Sequence, residues 1–263
     1  MAGRIALYSE KGGVGKTTLA VNIAACLALA GKRVLLCDCD QQGNASDLLL
    51  DLGPNSGDAG PDMSDVLLGE CEPDAAVRQT ALPGLSIIPA GDRLADTQVE
   101  LVNLPGRDLR LRQALAELGH RFDCIAIDCP PGRGMLAVLA LAASDRIILP
   151  LDPSRGGLSG IQRGMDLVAQ VRRFVPDPAR PGAPAIAGIV LNRVQKNRTH
   201  QECLDNLTTA YGAMLLGVIP AGVAIDSAGW AAKPVVLSDP DSAPAKAITK
   251  LAGGLTDGKS AAA

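Results

Sequence analysis

The chain has 263 residues, a formal net charge of −3 and a sequence pI of about 5.4. Apolar residues make up 47 % of it, but in runs too short for the roughly 18 consecutive apolar residues of a membrane-spanning helix. No basic stretch precedes an apolar one at the amino terminus, so we expect no secretory signal, and seven cysteines without C-x-x-C spacing disfavour a disulfide framework or a zinc site.

Apolar segments of strand length alternate along the chain with segments of helical character. The predicted strands are 4–8, 33–37, 85–88, 124–127, 146–149, 186–191 and 215–219. The predicted helices are 16–30, 108–119, 135–143, 159–174, 199–211 and 243–251. Strands rich in Val, Ile and Leu without polar alternation are typical of a parallel sheet that is covered on both faces.

This alternation predicts one doubly wound α/β domain, with a mostly parallel sheet and helices on both faces, over residues 1–255. Residues 256–263 are predicted to form a flexible carboxyl-terminal tail. Residues 53–62 and 176–184 are dense in Gly, Pro and Asp and are predicted to be loops.

The first motif in chain order lies between the first predicted strand and the first predicted helix, where residues 11–18 read KGGVGKTT. A strand, a glycine-rich loop and a helix in succession predict a phosphate-binding loop, because glycines let backbone N–H groups face an anion and the helix adds its positive end. Lys16 would reach the β- and γ-phosphates, and the Thr17 hydroxyl would bind Mg²⁺. The predicted nucleotide-binding residues here are Gly12, Gly13, Val14, Gly15, Lys16, Thr17 and Thr18.

This loop departs from the usual pattern, because Glu10 stands where the first glycine is expected and Lys11 adds a second cation. A second cation in the loop needs an anionic partner. Lys11 therefore either points to solvent or faces phosphate charge that Lys16 does not fully neutralise.

Acidic residues follow two further predicted strands. Asp38 and Asp40 lie in the run DCDQQGN after the second strand, where a carboxylate that faces a triphosphate can orient or deprotonate the attacking water. An Asx-rich turn leaving the sheet is the alternative for this run. Asp128 ends the apolar strand at 124–127, an arrangement that would hold Mg²⁺ directly or through its water, and the following Pro-Pro-Gly suits a loop that responds to the γ-phosphate. Asp38 is predicted to support the Mg²⁺ site indirectly.

These motifs together resemble the deviant Walker-A ATPases and, within them, the ParA/Soj partition family, from about residue 4 to residue 251. The matching runs include DCPP at 128–131, VLNR at 190–193 and KPV at 233–235, whereas Gln41 stands where the family usually has proline. The resemblance implies ATP and Mg²⁺ as cofactors and a nucleotide-sandwich homodimer in which Lys11 crosses to the partner's phosphates. It implies that Asp40 serves catalysis together with Lys11 and Lys16.

The same resemblance implies that Asn192 contacts adenine and that Pro220 belongs to a loop that closes over the base. Asn192 could equally be a helix cap or a turn residue.

The predicted function is therefore an ATP-dependent dimerising switch that partitions or positions chromosomal or plasmid DNA. The resemblance implies a ParB-like or cargo-adaptor partner that stimulates hydrolysis, and we expect a cytoplasmic, nucleoid-associated protein that does not bind membranes. Non-specific DNA binding would need a local basic patch, because the chain is acidic overall. The candidates are Arg193, Lys196 and Arg198, although such cations at a helix end can simply complement the macrodipole.

Three alternatives remain open from the sequence. A positioning ATPase of the McdA type would use the same chemistry on a protein cargo such as carboxysomes or chemosensory clusters. A metallocluster carrier would need cysteines placed to share a cluster, and only Cys129 lies in a suggestive place. A small-molecule ligase would act only with its own substrate.

Overall fold

A computed structural model describes residues 3–50 and 60–256 of the chain. In this part the strands are β1 (Gly3–Leu7), β2 (Val34–Asp38), β3 (Arg78–Gln79), β4 (Leu85–Ile88), β5 (Cys124–Asp128), β6 (Arg146–Leu151), β7 (Ala185–Val194) and β8 (Leu215–Pro220). They form one sheet in the order β3-β4-β2-β5-β1-β6-β7-β8. The short strand β3 is antiparallel to β4, and the other neighbours are parallel.

The helices of the described residues are α1 (Lys16–Leu29), α2 (Asn44–Leu50), α3 (Met63–Leu68), α4 (Leu94–Leu101), α5 (Arg110–Leu118), α6 (Met135–Ala143), α7 (Arg155–Phe174), α8 (Arg198–Tyr211), α9 (Val223–Trp230), α10 (Val235–Ser238) and α11 (Ala243–Thr256). Three short 3-10 turns lie at Pro73–Ala76, Arg107–Leu109 and Gly212–Met214.

The core has two halves, one on each face of the sheet, because successive side chains of a strand point to opposite faces. In β1, Ile5 and Leu7 pack with α1 and α11 on one face, whereas Ala6 packs with α5 and α6 on the other. Strand residues of the central sheet are buried without polar alternation, as a sheet covered on both sides requires. The predicted doubly wound α/β fold is confirmed.

All seven predicted strands and six predicted helices are present, and the structure adds elements that the sequence pattern did not predict. These are β3, α2, α3, α4, α9 and α10. They are two to eight residues long, too short for a clear period, and their stability comes mainly from tertiary packing. Residues 176–184 form a loop as predicted. Helix α11 runs on to Thr256, beyond its predicted end at 251, and most of the predicted loop 53–62 and the tail 257–263 lie outside the described residues.

The carboxyl ends of three central strands lie side by side. In the sheet register Asp128 of β5 is paired with Leu7 of β1 on one side and with Asp38 of β2 on the other. The loop that follows Leu7 therefore begins next to both aspartates. Ligands of open parallel sheets bind in the crevice at this edge.

One glycine of β7, a strand that is paired on both sides, tests how tightly the sheet is packed. A Cβ atom at Gly188 of β7 would lie 2.5 Å from the backbone oxygen of Met214 and 2.5 Å from Cγ of Leu216. We predict that Gly188→Ala lowers the free energy of unfolding by about 1–3 kcal/mol, because the backbone of the neighbouring segment must move. Urea denaturation measures this.

Gly254→Ala is the matched control. A Cβ at Gly254, within α11, meets nothing within 4 Å, so this substitution should stabilise the helix by about 0.5–1 kcal/mol. Equal stability of Gly188→Ala and the native chain would contradict the packing seen at β7.

Candidate active site

The loop after β1 has the backbone of a phosphate-binding loop. Gly13 and Gly15 adopt φ of 74° and 92°, left-handed values that glycine reaches without steric penalty. Gly15 is the N-cap residue of α1, and no side chain caps the N–H groups at this end of the helix. The first N–H groups and the positive end of α1 therefore face the cleft, where an anion would be stabilised.

An open cleft of about 670 Å³ lies in front of this loop. It is lined by Gly12, Gly13, Gly15, Lys16, Thr17 and Thr18 from the loop, and by Asp40, Pro131 and Arg193 from other strand ends. Lys16 is 5 % exposed. The structure thus brings together the predicted loop, the second acidic residue after β2 and the loop after β5. The Val14 side chain is buried in the core instead, so this residue can offer only its backbone to a ligand.

Asp128 lies at the end of β5 and is fully buried. Neither of its carboxylate oxygens has a hydrogen-bond partner. Burial raises its pKa well above the ordinary value, the charge of Asp38 adds to this, and the nearby Thr17 hydroxyl and Lys16 ammonium oppose it. A buried carboxylate without donors is satisfied by a cation or by the water that a cation carries. Asp128 and Thr17 therefore fit a Mg²⁺ ion.

Asp38 has the opposite surroundings, because its oxygens are already used. They accept hydrogen bonds from the Ser46 hydroxyl (2.7 Å), the Ser46 N–H (3.0 Å) and the Asp40 N–H (3.1 Å). Burial raises the pKa of Asp38 to about 6, although these hydrogen bonds lower it. Asp38 therefore fixes the turn between β2 and α2 and presents Asp40, as an indirect supporting role requires.

Asp40 is 7 % exposed and lines the cleft. One of its oxygens accepts the N–H of Gln42 at 3.1 Å, which makes an Asx-type turn and leaves the other oxygen for the cleft. The two interpretations of this run, a turn and a site, are thus compatible.

The loop after β5 is tied to the beginning of the phosphate-binding loop. The Tyr8 hydroxyl donates to the carbonyl of Gly132 at 2.9 Å, and the N–H of Gly132 donates to the carbonyl of Glu10 at 2.9 Å. Glu10 in turn pairs with Arg163 of α7 at 2.7 Å. A displacement of either loop must therefore disturb the other.

Lys11 finds its anionic partner within its own chain. Its ammonium group lies 2.6 Å from Asp152 Oδ2 and 3.3 Å from the Ser154 hydroxyl, both in the loop between β6 and α7. Burial alone would raise the pKa of Asp152, but the hydrogen bonds from Lys11 and Ser154 outweigh it and lower the pKa. The side chain of Lys11 remains 47 % exposed. No sequence signal points to this pair, whose members are 141 positions apart.

The two residues predicted to contact or cover the base lie in different surroundings, at the ends of β7 and β8. Asn192 is buried and donates from Nδ2 to the carbonyl of Val14 at 2.8 Å. Its Oδ1 has no partner. Pro220 lies instead in a separate open cavity of about 500 Å³, with Val194 and Gln195. Strand β8 is one strand farther from β1 than β7 is, and the place of Pro220 in a loop that closes over the base stays a prediction.

The predicted basic cluster is also divided. Arg193 donates to the carbonyl of Gly13 at 2.8 Å and lines the nucleotide cleft, so it does not belong with the other two cations. Lys196 and Arg198 are exposed beside the cavity that holds Pro220. Arg198 pairs with Glu202 one helical turn away.

Residues 3–50 and 60–256 form the described part of the chain. It contains no helix that is both long and apolar enough to cross a membrane. Nor, within the same residues, do three or more His, Cys, Asp or Glu side chains form a group that could hold a metal ion without other ligands.

The buried carboxylate at Asp128 gives a pH-dependent prediction for the nucleotide-free protein. The raised pKa means that the folded protein holds this proton where the unfolded chain has released it, so the free energy of unfolding falls as pH rises through that range. Asn is neutral at every pH. Asp128→Asn should therefore gain stability relative to the native chain as pH rises above the ordinary range of a carboxyl group, in urea denaturation with a chelator present.

Asp123→Asn is the control of opposite sign. Hydrogen bonds from Arg33 lower the pKa of this exposed carboxylate to about 2, so its replacement should reduce stability at neutral pH. An advantage of Asp128→Asn that does not grow with pH would contradict the described surroundings of Asp128.

Comparison with known proteins gives consistent results. A family model described as an AAA domain matches residues 2–177. The chain is 34 % identical over 250 residues to the sporulation initiation inhibitor protein Soj of Bacillus subtilis, covering 94 % of this chain and 96 % of that protein. It is 34 % identical over 252 residues to the chromosome partitioning protein ParA of Caulobacter vibrioides, covering 94 % and 91 %.

A similar solved structure is the cobyrinic acid a,c-diamide synthase of Mycobacterium smegmatis with bound ATP analog and magnesium. Its TM-score is 0.77 at 28 % identity, covering 97 % of this chain and 95 % of that one. The residues that the family model matches include the phosphate-binding loop and the acidic ends of β2 and β5. The chain belongs to the ParA/Soj family of P-loop partition ATPases.

Proposed function

We propose that this protein is an ATP-dependent switch, which dimerises around bound ATP and Mg²⁺ and hydrolyses ATP to release the dimer. The observation that carries this proposal is the buried, unpartnered carboxylate of Asp128 beside Lys16 and Thr17, at the uncapped amino end of α1. This arrangement joins an anion site to a cation site. A triphosphate with its metal ion satisfies both.

Each residue of the cleft has a role that follows from its surroundings. The N–H groups of residues 12–18 and the Lys16 ammonium bind the phosphates, and Thr17 and Asp128 hold Mg²⁺. The metal ion, when bound, supplies positive charge that offsets the charge of the phosphate oxygens. Asp40 orients the water that attacks the terminal phosphate, because its free oxygen faces the cleft and its other oxygen is fixed by Gln42.

Lys11 is the residue that makes hydrolysis depend on dimerisation. In the single chain it is paired with Asp152. A partner's triphosphate carries more negative charge than one carboxylate, so closure of two subunits would transfer Lys11 to the partner's phosphates, where it stabilises charge in the transition state. A relative named as a chromosome partitioning protein supports chromosomal DNA as the cargo, and we propose plasmid DNA as a further cargo and a ParB-like or adaptor protein as the stimulating partner.

A second function is favoured by one observation. The similar structure from Mycobacterium smegmatis is described as an amide-forming synthase, which would make this chain a small-molecule ligase. Hydrolysis of ATP without any added acid or amine substrate supports the switch. Turnover that appears only with such a substrate supports the ligase.

Substitutions of Lys11 and Asp40 test the switch. By sedimentation velocity we expect the native chain to be monomeric with ADP and dimeric with ATP. Lys11→Ala should bind ATP but stay monomeric. Asp40→Ala should remain dimeric with ATP, and its turnover should fall about 100-fold or more, as expected for loss of a residue that positions or activates the attacking water.

Lys32→Ala is the matched control, because Lys32 is exposed at the amino ends of the strands, opposite the cleft at their carboxyl ends. It should behave as the native chain does. A Lys11→Ala protein that dimerises normally, or an Asp40→Ala protein with full turnover, would show that these assignments are wrong.

DNA binding is tested with the dimer held in its ATP form. We expect Asp40→Ala protein with ATP to retain duplex DNA of any sequence at low salt, and to lose it steeply as salt rises because phosphate contacts release counterions. Reversal of charge at Lys196 and Arg198 (to Glu) should weaken retention.

The same charge change at Lys32 and Arg33, which precede β2 at the amino ends of the strands, is the control and should weaken DNA retention less. No retention even at low salt would refute DNA binding. A protein assembly as the cargo, with the same ATPase chemistry, would then be the better interpretation.

A further inference from the structure

The end of β7 contains an irregularity that changes where two neighbouring side chains point. Leu191 is paired with Val218 of β8, and Val194 is paired with Pro220, so β7 advances three residues where β8 advances two. Such an extra residue is a bulge, which redirects side chains locally. In a regular strand Asn192 and Arg193 would point to opposite faces of the sheet.

Both side chains instead reach the phosphate-binding loop. Asn192 Nδ2 lies 2.8 Å from the carbonyl oxygen of Val14, and Arg193 Nη1 lies 2.8 Å from the carbonyl oxygen of Gly13. These are the carbonyls of two successive peptide groups. Two donors from one bulge therefore hold two adjacent peptides of a loop that is 178 to 180 positions away in sequence.

The direction of these carbonyls decides where the loop's N–H groups point. In a planar trans peptide the C=O and the following N–H point in opposite directions. Holding the carbonyls of Gly13 and Val14 outward thus turns the N–H groups of Val14 and Gly15 the other way, as an anion nest requires. The fit is close, because a Cβ at Gly15 would lie 2.2 Å from Asn192 Nδ2.

Backbone conformation marks the same place. Among the described residues, Arg193 (φ 60°) and Ala232 (φ 47°) are the non-glycine residues with positive φ, and both line the nucleotide cleft. A left-handed conformation at a non-glycine residue is strained and persists where its surroundings require it. A glycine at position 193 would relieve this strain, so the presence of arginine there indicates a use for the side chain.

We propose that the bulge at Asn192 and Arg193 is a clamp for the phosphate-binding loop, in which Arg193 is a positioning residue that acts through the carbonyl of Gly13. This inference rests on the proposed nucleotide-binding function and deepens it. It also gives Arg193 a role at the nucleotide rather than at DNA. Loss of the clamp lets the Gly13 peptide rotate, which disperses the N–H groups that bind phosphate.

Three variants separate the side chain from the backbone. Arg193→Gly keeps the left-handed turn and removes the donor. Arg193→Lys keeps a cationic donor. Arg33→Gln removes an arginine that pairs with Asp123 at the amino ends of β2 and β5, away from the cleft. The dissociation constants of MgADP and MgATP are measured by titration calorimetry, and the thermal midpoint of each nucleotide-free variant is measured in parallel.

We expect Arg193→Gly to weaken binding of both nucleotides about tenfold, equivalent to about 1.4 kcal/mol, with a nucleotide-free thermal midpoint equal to or above that of the native chain. Arg193→Lys should restore affinity to within about threefold, since one charge-assisted hydrogen bond is kept. Arg33→Gln should leave both affinities unchanged.

Native affinity in Arg193→Gly would overturn the clamp. Weaker binding accompanied by a lower thermal midpoint of the nucleotide-free variant would overturn it too, because the loss would then reflect general destabilisation. Nucleotide binding by the native chain tests the proposed function separately. A native chain that binds neither nucleotide would contradict the ATPase assignment and the clamp with it. A native chain that binds both, with Arg193 variants that bind equally well, would refute only the clamp.

Discussion

Asp128 ends β5 with a fully buried carboxyl group, and neither of its oxygens has a well-formed hydrogen bond to another described residue. Such a group is unfavourable in the nucleotide-free protein, because burial disfavours its charged form. Its nearest compensating groups, Lys16 and Thr17, begin α1. The site is thus built around a buried carboxyl group that keeps its proton until a bound cation stabilises the ionised form.

Contacts between the neighbouring loops fix the surroundings of Asp128. Asp38 holds the turn that carries Asp40 through Ser46. Gly132 joins the loop after β5 to Glu10 and Tyr8. Strand β7 reaches across β6 to hold the phosphate-binding loop from the other side. The ends of β5 and β7 therefore both contact the loop after β1, and a displacement of that loop must disturb both of them.

The sequence predicted the fold and the central site because both depend on local patterns. Lys16, Asp40 and Asp128 each follow an apolar strand, and the carboxyl ends of parallel strands meet at one edge. Contacts between distant segments left no such pattern. The pair of Lys11 with Asp152 and the bulge that turns Arg193 away from Lys196 and Arg198 both depend on register between strands.

Titration calorimetry of ATP into the native chain, near neutral pH and in buffers with different heats of ionisation, tests the central claim most directly. We predict one ATP per chain, a strong requirement for Mg²⁺, and net release of protons as the buried carboxylates ionise against the metal ion. Equal affinity for ATP with Mg²⁺ and with a chelator, without proton release, would contradict the account of Asp128 as a protonated carboxyl group that ionises when Mg²⁺ binds.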